Sequence, residues 1–314
     1  MEKLLQVNNL TKAYKKHMAV KHISFHINQG EVVGLLGVNG AGKSTTINML
    51  STILKADEGD IFYLGRNISK NIREYKRNIG VVPQEIAIYE NISAMDNVKY
   101  FARLYGVPSK EIADRCTTIL KAMGLEERLH ELPRNFSGGM KRRLNIACGL
   151  LHKPKLIIMD EPTVGVDVQS RKFILEFIKQ LQKDGISVLY TTHYMEEVEV
   201  IADRIIVINA GEIIADGNLL DIRNIISCKK KILIELEDYT SSLLPSLREL
   251  SEVKSCEIAE DGLSLILEGD QFGDIYYKII GIIYKDGGTI KEINTIKDNL
   301  ETVFLNLTSD KEEA

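Results

Sequence analysis

The chain has 314 residues, 44% of them hydrophobic and 27% charged, which suits a globular protein larger than one average domain. Its formal net charge of -4 supplies no basic field that would favour nucleic acid. The four cysteines, Cys116, Cys148, Cys228 and Cys256, form no close pair, which excludes a disulfide framework and a thiolate metal site.

Residues 1 to about 220 alternate short apolar runs with helical patterns. Glu31–Leu36 leads into a helical stretch over Lys43–Leu50, and a second apolar run covers Lys155–Met159. Continuous apolar runs bounded by Gly or Pro suit buried parallel strands, and their alternation with helices predicts an α/β layer fold. From about residue 93 to 150 the pattern turns helical throughout, over Ser93–Tyr105, Ser109–Met123 and Met140–Leu151, which predicts a helical subdomain inserted into the α/β unit.

The pattern resets between Asn218 and Lys231, where Lys229, Lys230 and Lys231 mark an edge, so domains at 1–226 and 227–314 are expected. The second stretch reads as strand, helix, strand, strand, helix, strand, the order of a small α+β ferredoxin-like domain. A last helix is expected over Leu300–Leu307. Met1–Gln6 lacks the apolar run of a signal peptide, and no stretch approaches the ~20 apolar residues that span a bilayer, so a cytoplasmic chain is expected.

Gly37-Val38-Asn39-Gly40-Ala41-Gly42-Lys43-Ser44-Thr45 fits the phosphate-loop pattern GxxxxGK[ST], between a strand and a helix as the mechanism requires. The glycines let backbone N–H groups turn towards phosphates, and the helix N-terminus adds its positive dipole end. Lys43 would reach the β- and γ-phosphates, and Ser44 would coordinate Mg²⁺. Downstream, Leu156-Ile157-Ile158-Met159 ends in Asp160 and Glu161. Asp160 would hold Mg²⁺ through water, and Glu161 would polarise the attacking water.

Asn135-Phe136-Ser137-Gly138-Gly139-Met140-Lys141-Arg142-Arg143 resembles the signature of ATP-binding cassette (ABC) ATPases. The order of phosphate loop, glutamine, signature, Asp-Glu and histidine matches that family over residues 1 to about 220. The resemblance implies an ATP-hydrolysing P-loop NTPase domain of the ABC type. It also implies a second anion nest at Ser137, Gly138 and Gly139, facing the γ-phosphate bound by the opposite subunit of a dimer. Tyr14 resembles the aromatic residue that stacks on adenine. Gln84 resembles the glutamine that contacts Mg²⁺ or water and links to the membrane partner. Asp167 resembles an interface aspartate, and His193 resembles the switch histidine that touches the γ-phosphate.

Phe136 and Met140 stand where the commonest signature has Leu and Gln, and Val164, Val166 and Val168 also depart from the usual interface loop. These leave the implied catalytic set filled. The Gly-Gly-Met-Lys-Arg-Arg run and the ending Leu300–Thr308 are similar to subunits that power drug, antibiotic and ion exporters through a separate permease chain. The implied partners are ATP, Mg²⁺, a second copy or a related ABC subunit, and an integral membrane permease. A soluble ABC ATPase acting on ribosomes or DNA is the alternative. For the C-terminal stretch, a dimer-stabilising or regulatory accessory is preferred over a ligand sensor.

Overall fold

A computed structural model describes residues 2–15, 17–226, 229–238, 242–259, 262–268 and 273–296. It divides into two compact units, Met1–Leu219 and Leu220–Ala314. The expected helix at Leu300–Leu307 and Cys228 lie outside the described residues.

The first unit opens with two long strands, β1 (Lys3–Tyr14) and β2 (His17–Asn28), followed by β3 (Val32–Leu36) and helix α1 (Lys43–Leu50). Next come β4 (Glu58–Tyr63), β5 (Arg66–Asn67), α2 (Ile72–Asn78) and β6 (Ile79–Val82). Three helices follow without a strand between them: α3 (Ala94–Leu104), α4 (Ser109–Ala122) and α5 (Gly138–Leu150). The chain then returns to α/β alternation with β7 (Leu156–Asp160), α6 (Val168–Lys183), β8 (Ser187–Thr192), α7 (Met195–Ile201), β9 (Arg204–Asn209) and β10 (Glu212–Gly217), and helix α8 (Leu219–Ile226) begins at the division between the units.

The main sheet has the order β10-β9-β3-β8-β7-β6. Its five strands from β9 to β6 run parallel, and β10 is antiparallel at the edge. Every residue of β3, β7 and β8 is buried, as expected of strands covered on both faces. Alternate residues serve different cores. Ile157, Met159, Val188 and Tyr190 pack with the helical block, whereas Leu156, Ile158, Val33 and Leu35 pack with α1 and the N-terminal strands.

Those N-terminal strands differ from the α/β alternation read from the sequence. β1 pairs antiparallel with β2 and β4, building a separate sheet of order β2-β1-β4-β5. Polar residues interleaved along β1 and β2 obscure the period, and register shifts break the pairing at several points. A strict two-residue alternation is lost wherever such a bulge inserts a residue.

Helix starts follow local chemistry. Ser93, Ser137 and Asp167 cap α3, α5 and α6, their side chains accepting hydrogen bonds from the N–H groups of Asp96, Met140 and Ser170. Within the helical block, Val98, Cys116, Leu120, Leu144 and Ala147 share one core.

The second unit contains β11 (Lys229–Leu236), α9 (Leu243–Arg248), β12 (Val253–Ala259), β13 (Gly262–Glu268), α10 (Gly273–Lys285) and β14 (Ile290–Ile296). Its sheet, β12-β13-β11-β14, is antiparallel throughout, the arrangement of a split βαβ unit. Ile275, Ile279 and Ile283 recur every fourth residue of α10 and pack on Ile232, Ile234, Leu263 and Leu265.

Candidate functional site

Parallel neighbours β3, β8, β7 and β6 end together. Leu36 lies opposite Thr192, Asp160 opposite Thr191, and Val82 opposite Met159. The loops carrying Lys43, His193, Glu161 and Gln84 therefore leave one carboxyl edge side by side, where open α/β sheets bind ligands.

The phosphate loop turns sharply at two left-handed glycines, Gly40 (φ 84°) and Gly42 (φ 108°). A side chain at Gly42 would be strained by that φ, and its Cβ would fall 2.5 Å from the Ala19 carbonyl oxygen. Gly37 is equally confined, its hypothetical Cβ lying 2.6 Å from the Ile208 carbonyl oxygen. The Ala41 N–H donates to the Val38 carbonyl at 3.1 Å. Asn39, Gly40 and Ser44 face solvent, Ala41 and Gly42 are buried, and Thr45 is half-buried. Lys43 is buried and folds back over the loop, its ammonium donating to the Gly37 carbonyl at 2.8 Å and the Val38 carbonyl at 3.2 Å.

Glu161 is the hub. Its Oε1 lies 3.5 Å from Lys43 Nζ and 3.3 Å from His193 Nδ1, and its Oε2 accepts from the Gln84 amide at 3.3 Å. The His193 contact is a close approach without hydrogen-bond alignment. Glu161 holds a left-handed backbone (φ 44°), a conformation that costs a non-glycine residue about 1–2 kcal/mol. Its N–H is pinned by Thr191, through the carbonyl at 3.2 Å and the hydroxyl at 3.0 Å. The same hydroxyl approaches Asp160 Oδ1 at 2.5 Å, so one threonine aligns both acids.

An all-oxygen donor set is available at this edge: the Asp160 carboxylate, the Ser44 hydroxyl and the side-chain oxygen of Gln84, whose amide N–H donates to Glu161. Hard oxygen ligands with one carboxylate fit Mg²⁺, which characteristically takes few protein ligands beside substrate phosphates. No group of three or more His, Cys, Asp or Glu residues that could form a metal cage exists among the described residues.

The signature corner stands apart. Ser137 and Gly138 are exposed. No hydrogen bond or ion pair joins Ser137, Gly138 or Gly139 to the phosphate loop among the described residues; the Ser137 hydroxyl caps its own helix. Gly139 is buried, and a Cβ there would fall 2.0 Å from Ser170 Oγ. Its lack of a side chain is thus demanded by packing against α6. Ser170 in turn donates its N–H and hydroxyl to Asp167, at 2.9 and 2.8 Å, and these bonds hold the Asp167 carboxyl below its usual range. Tyr14 closes β1 and is 48% exposed.

Sequence reasoning missed several residues that shape the edge. Thr191 is one; Arg142 and Asn145 are others, tying α5 to the Gln84 loop. Arg142 donates to the Pro83 carbonyl at 3.1 Å, and Asn145 accepts from the Ala87 N–H at 3.2 Å. Arg142 sits between Lys141 and Arg143, so nothing local marked it as the buried member of that run. Tyr190, Thr192 and Glu197 form a buried cluster behind His193.

A phosphate loop, an Asp-Glu pair and a histidine at the ends of neighbouring parallel strands, with a helical subdomain carrying a Ser-Gly-Gly corner, define an ABC-type ATPase. The chain belongs to the ABC transporter family: the family model described as ABC transporter matches residues 20–164. It is 41% identical to the linearmycin resistance ATP-binding protein LnrL of Bacillus subtilis, over 97% of this chain and 98% of that one. It is 32% identical to the doxorubicin resistance ATP-binding protein DrrA of Mycobacterium tuberculosis, over 98% and 94% respectively. Among solved structures, an ATP-binding subunit of an ABC transporter matches with TM-score 0.65 and 32% identity, covering 70% of this chain and 92% of that one. A dimeric cassette, MJ0796, in a post-hydrolysis state bound to ADP and Pi, matches with TM-score 0.63 and 28% identity, over 68% and 98%. The chain is accordingly an ATP-binding, ATP-hydrolysing subunit of an ABC transporter.

Proposed function

We propose that this subunit drives an exporter whose membrane permease is a separate chain, through MgATP-dependent closure of a head-to-tail pair. The observation that carries the reading is the convergence of Lys43, Gln84 and His193 on Glu161, while Ser137 and Gly138 stand exposed and share no hydrogen bond or ion pair with that loop among the described residues. One copy supplies the phosphate loop, and a second copy or related subunit supplies Ser137 and Gly138. The N–H groups opening α5 give that corner the anion affinity of a helix N-terminus. Closure then depends on a γ-phosphate that satisfies both surfaces. Relatives named for linearmycin and doxorubicin resistance, matched along almost their whole length, support a drug-like cargo.

Within the site, Lys43 exchanges the loop carbonyls and Glu161 for phosphate oxygens. The freed Glu161 carboxylate orients the attacking water and accepts its proton. His193 steadies the γ-phosphoryl group. Asp160, Ser44 and Gln84 would hold Mg²⁺, which would supply charge neutralisation of the phosphates. Tyr14 offers its exposed ring to adenine.

Exposed apolar residues near the Gln84 loop support the permease assignment. Ile86, Tyr89, Ile92, Tyr100 and Leu104 are each at least 37% exposed, and the Tyr89 and Tyr100 rings meet edge to face at 5.1 Å. A patch of this composition suits a short helical segment of a membrane partner. Docking there would place the subunit on the cytoplasmic face of a membrane. No helix among the described residues is long and apolar enough to cross one itself. We assign residues 1–226 to the cassette and 227–314 to an accessory role.

The test is Glu161→Gln. It retains MgATP binding, loses ~100-fold or more in turnover, and accumulates as a nucleotide-bound dimer in light scattering. Turnover close to that of the parent overturns the role of Glu161.

A further inference from the structure

Glu197 is 2% exposed, and a carboxylate so shielded from water is costly unless its charge is met. Here one oxygen is hydrogen-bonded and the other lies within ion-pair distance of a cation without a hydrogen bond to it. Oε2 accepts from the Tyr190 hydroxyl at 2.8 Å and the Thr192 hydroxyl at 2.8 Å, and Oε1 faces the Arg171 guanidinium at 3.4 Å. A well-packed apolar side chain would serve stability as well as such a buried ionic group. What the ionised group adds is direction.

That direction is spent around one residue. The Thr192 hydroxyl donates to Glu197 and accepts from the Tyr194 N–H at 2.9 Å, which closes a tight turn with His193 at its centre. Arg171 stacks over the Tyr194 ring at 4.7 Å, and that ring lies 4.2 Å from the His193 imidazole. The Tyr190 hydroxyl also meets the Thr163 hydroxyl at 3.2 Å, in the loop that follows Glu161. Three side chains, Thr192, Tyr190 and Arg171, thus refer directly to one carboxylate, although Glu197 itself touches neither His193 nor Glu161 among the described hydrogen bonds.

We propose that Glu197 is a positioning residue for His193, its buried carboxylate fixing, through Thr192, Tyr190 and Arg171, the direction in which the imidazole leaves the end of β8. The assignment rests on the role proposed for His193 in the site. Because it concerns alignment in the transition state, it affects kcat and leaves nucleotide affinity alone.

Steady-state ATPase assays of the full chain test it. Glu197→Met lowers kcat by about tenfold or more with KM for MgATP within about twofold of the parent. Glu197→Gln, whose carbonyl can accept both hydroxyls, restores kcat to within about threefold. In a His193→Ala background, Glu197→Met changes the residual kcat by less than about twofold, because residues acting through one group are not additive. Tyr190→Phe removes a single hydroxyl and lowers kcat in the same sense, so the test survives if Glu197→Met does not fold. Parent-like kcat in both Glu197→Met and Tyr190→Phe overturns the proposal, as does an equal loss with and without His193. Glu161→Gln run alongside separates this failure from that of the site: an inactive Glu161→Gln beside a fully active Glu197→Met leaves the site standing and removes only Glu197.

Discussion

Lys43 Nζ lies 3.5 Å from Glu161 Oε1, and the two side chains are 5% and 8% exposed. At that distance the two charges neutralise each other. In the proposed mechanism nucleotide displaces this pair, so that binding and activation of Glu161 become one event. Lys43→Ala therefore removes a charge-assisted contact to phosphate, and MgATP affinity measured by titration falls about 10- to 100-fold. Undiminished affinity would contradict the assignment of the loop.

The two signature glycines should separate by mechanism. A Cβ on Gly138 would lie an ordinary 3.5 Å from the Gly165 carbonyl oxygen, whereas one on Gly139 would collide with Ser170. Gly139→Ala is expected to destabilise the nucleotide-free protein by about 1–3 kcal/mol in urea denaturation, as overpacking does. Gly138→Ala should leave that midpoint nearly unchanged while reducing ATPase activity at the shared site.

His152 gives the fold a dependence on acid. Its ring stacks on Tyr105 at 4.0 Å, and its Nε2 bonds the Ile79 carbonyl at 2.8 Å. Burial lowers its pKa below the usual 6.5, so the unfolded chain takes up a proton more readily than the folded one. The stability that neutral His152 contributes is whole above pH 6.5 and lost as pH falls through its lower folded value. Urea midpoints at pH 7.5 and 5.5 should therefore differ less in His152→Gln than in the parent.

The exposed tyrosines offer a test of the membrane partner. Tyr89→Ser with Tyr100→Ser should keep the ATPase activity of the isolated subunit within about twofold, since surface substitutions change little. The same variant should lose co-purification with a hydrophobic permease from detergent extracts. Full retention of the partner would move the docking surface elsewhere.

Much of this protein was legible in the order of its residues. The phosphate loop, the apolar strand ending in Asp160 and Glu161, and the Ser137 corner each carry their chemistry in a short contiguous stretch. Local propensity and backbone geometry suffice for such segments. The helical run after residue 93 and the split βαβ order of the second unit were legible for the same reason, because their periods are clean over several turns or strands.

Tertiary structure alone decided the rest. The long N-terminal strands escaped notice because bulges break their alternation and their partners are supplied by distant pairing. Nothing local says that Gly139 must lie against Ser170, or that Thr191 aligns Asp160 with Glu161 across adjacent strands. Nor could sequence reveal that Glu197 is buried among Tyr190, Thr192 and Arg171, since a glutamate early in a helix ordinarily faces water. Motifs are written by neighbours in sequence; the alignment that makes them act is set by parallel strands and packed helices, which bring together side chains that the chain itself keeps far apart.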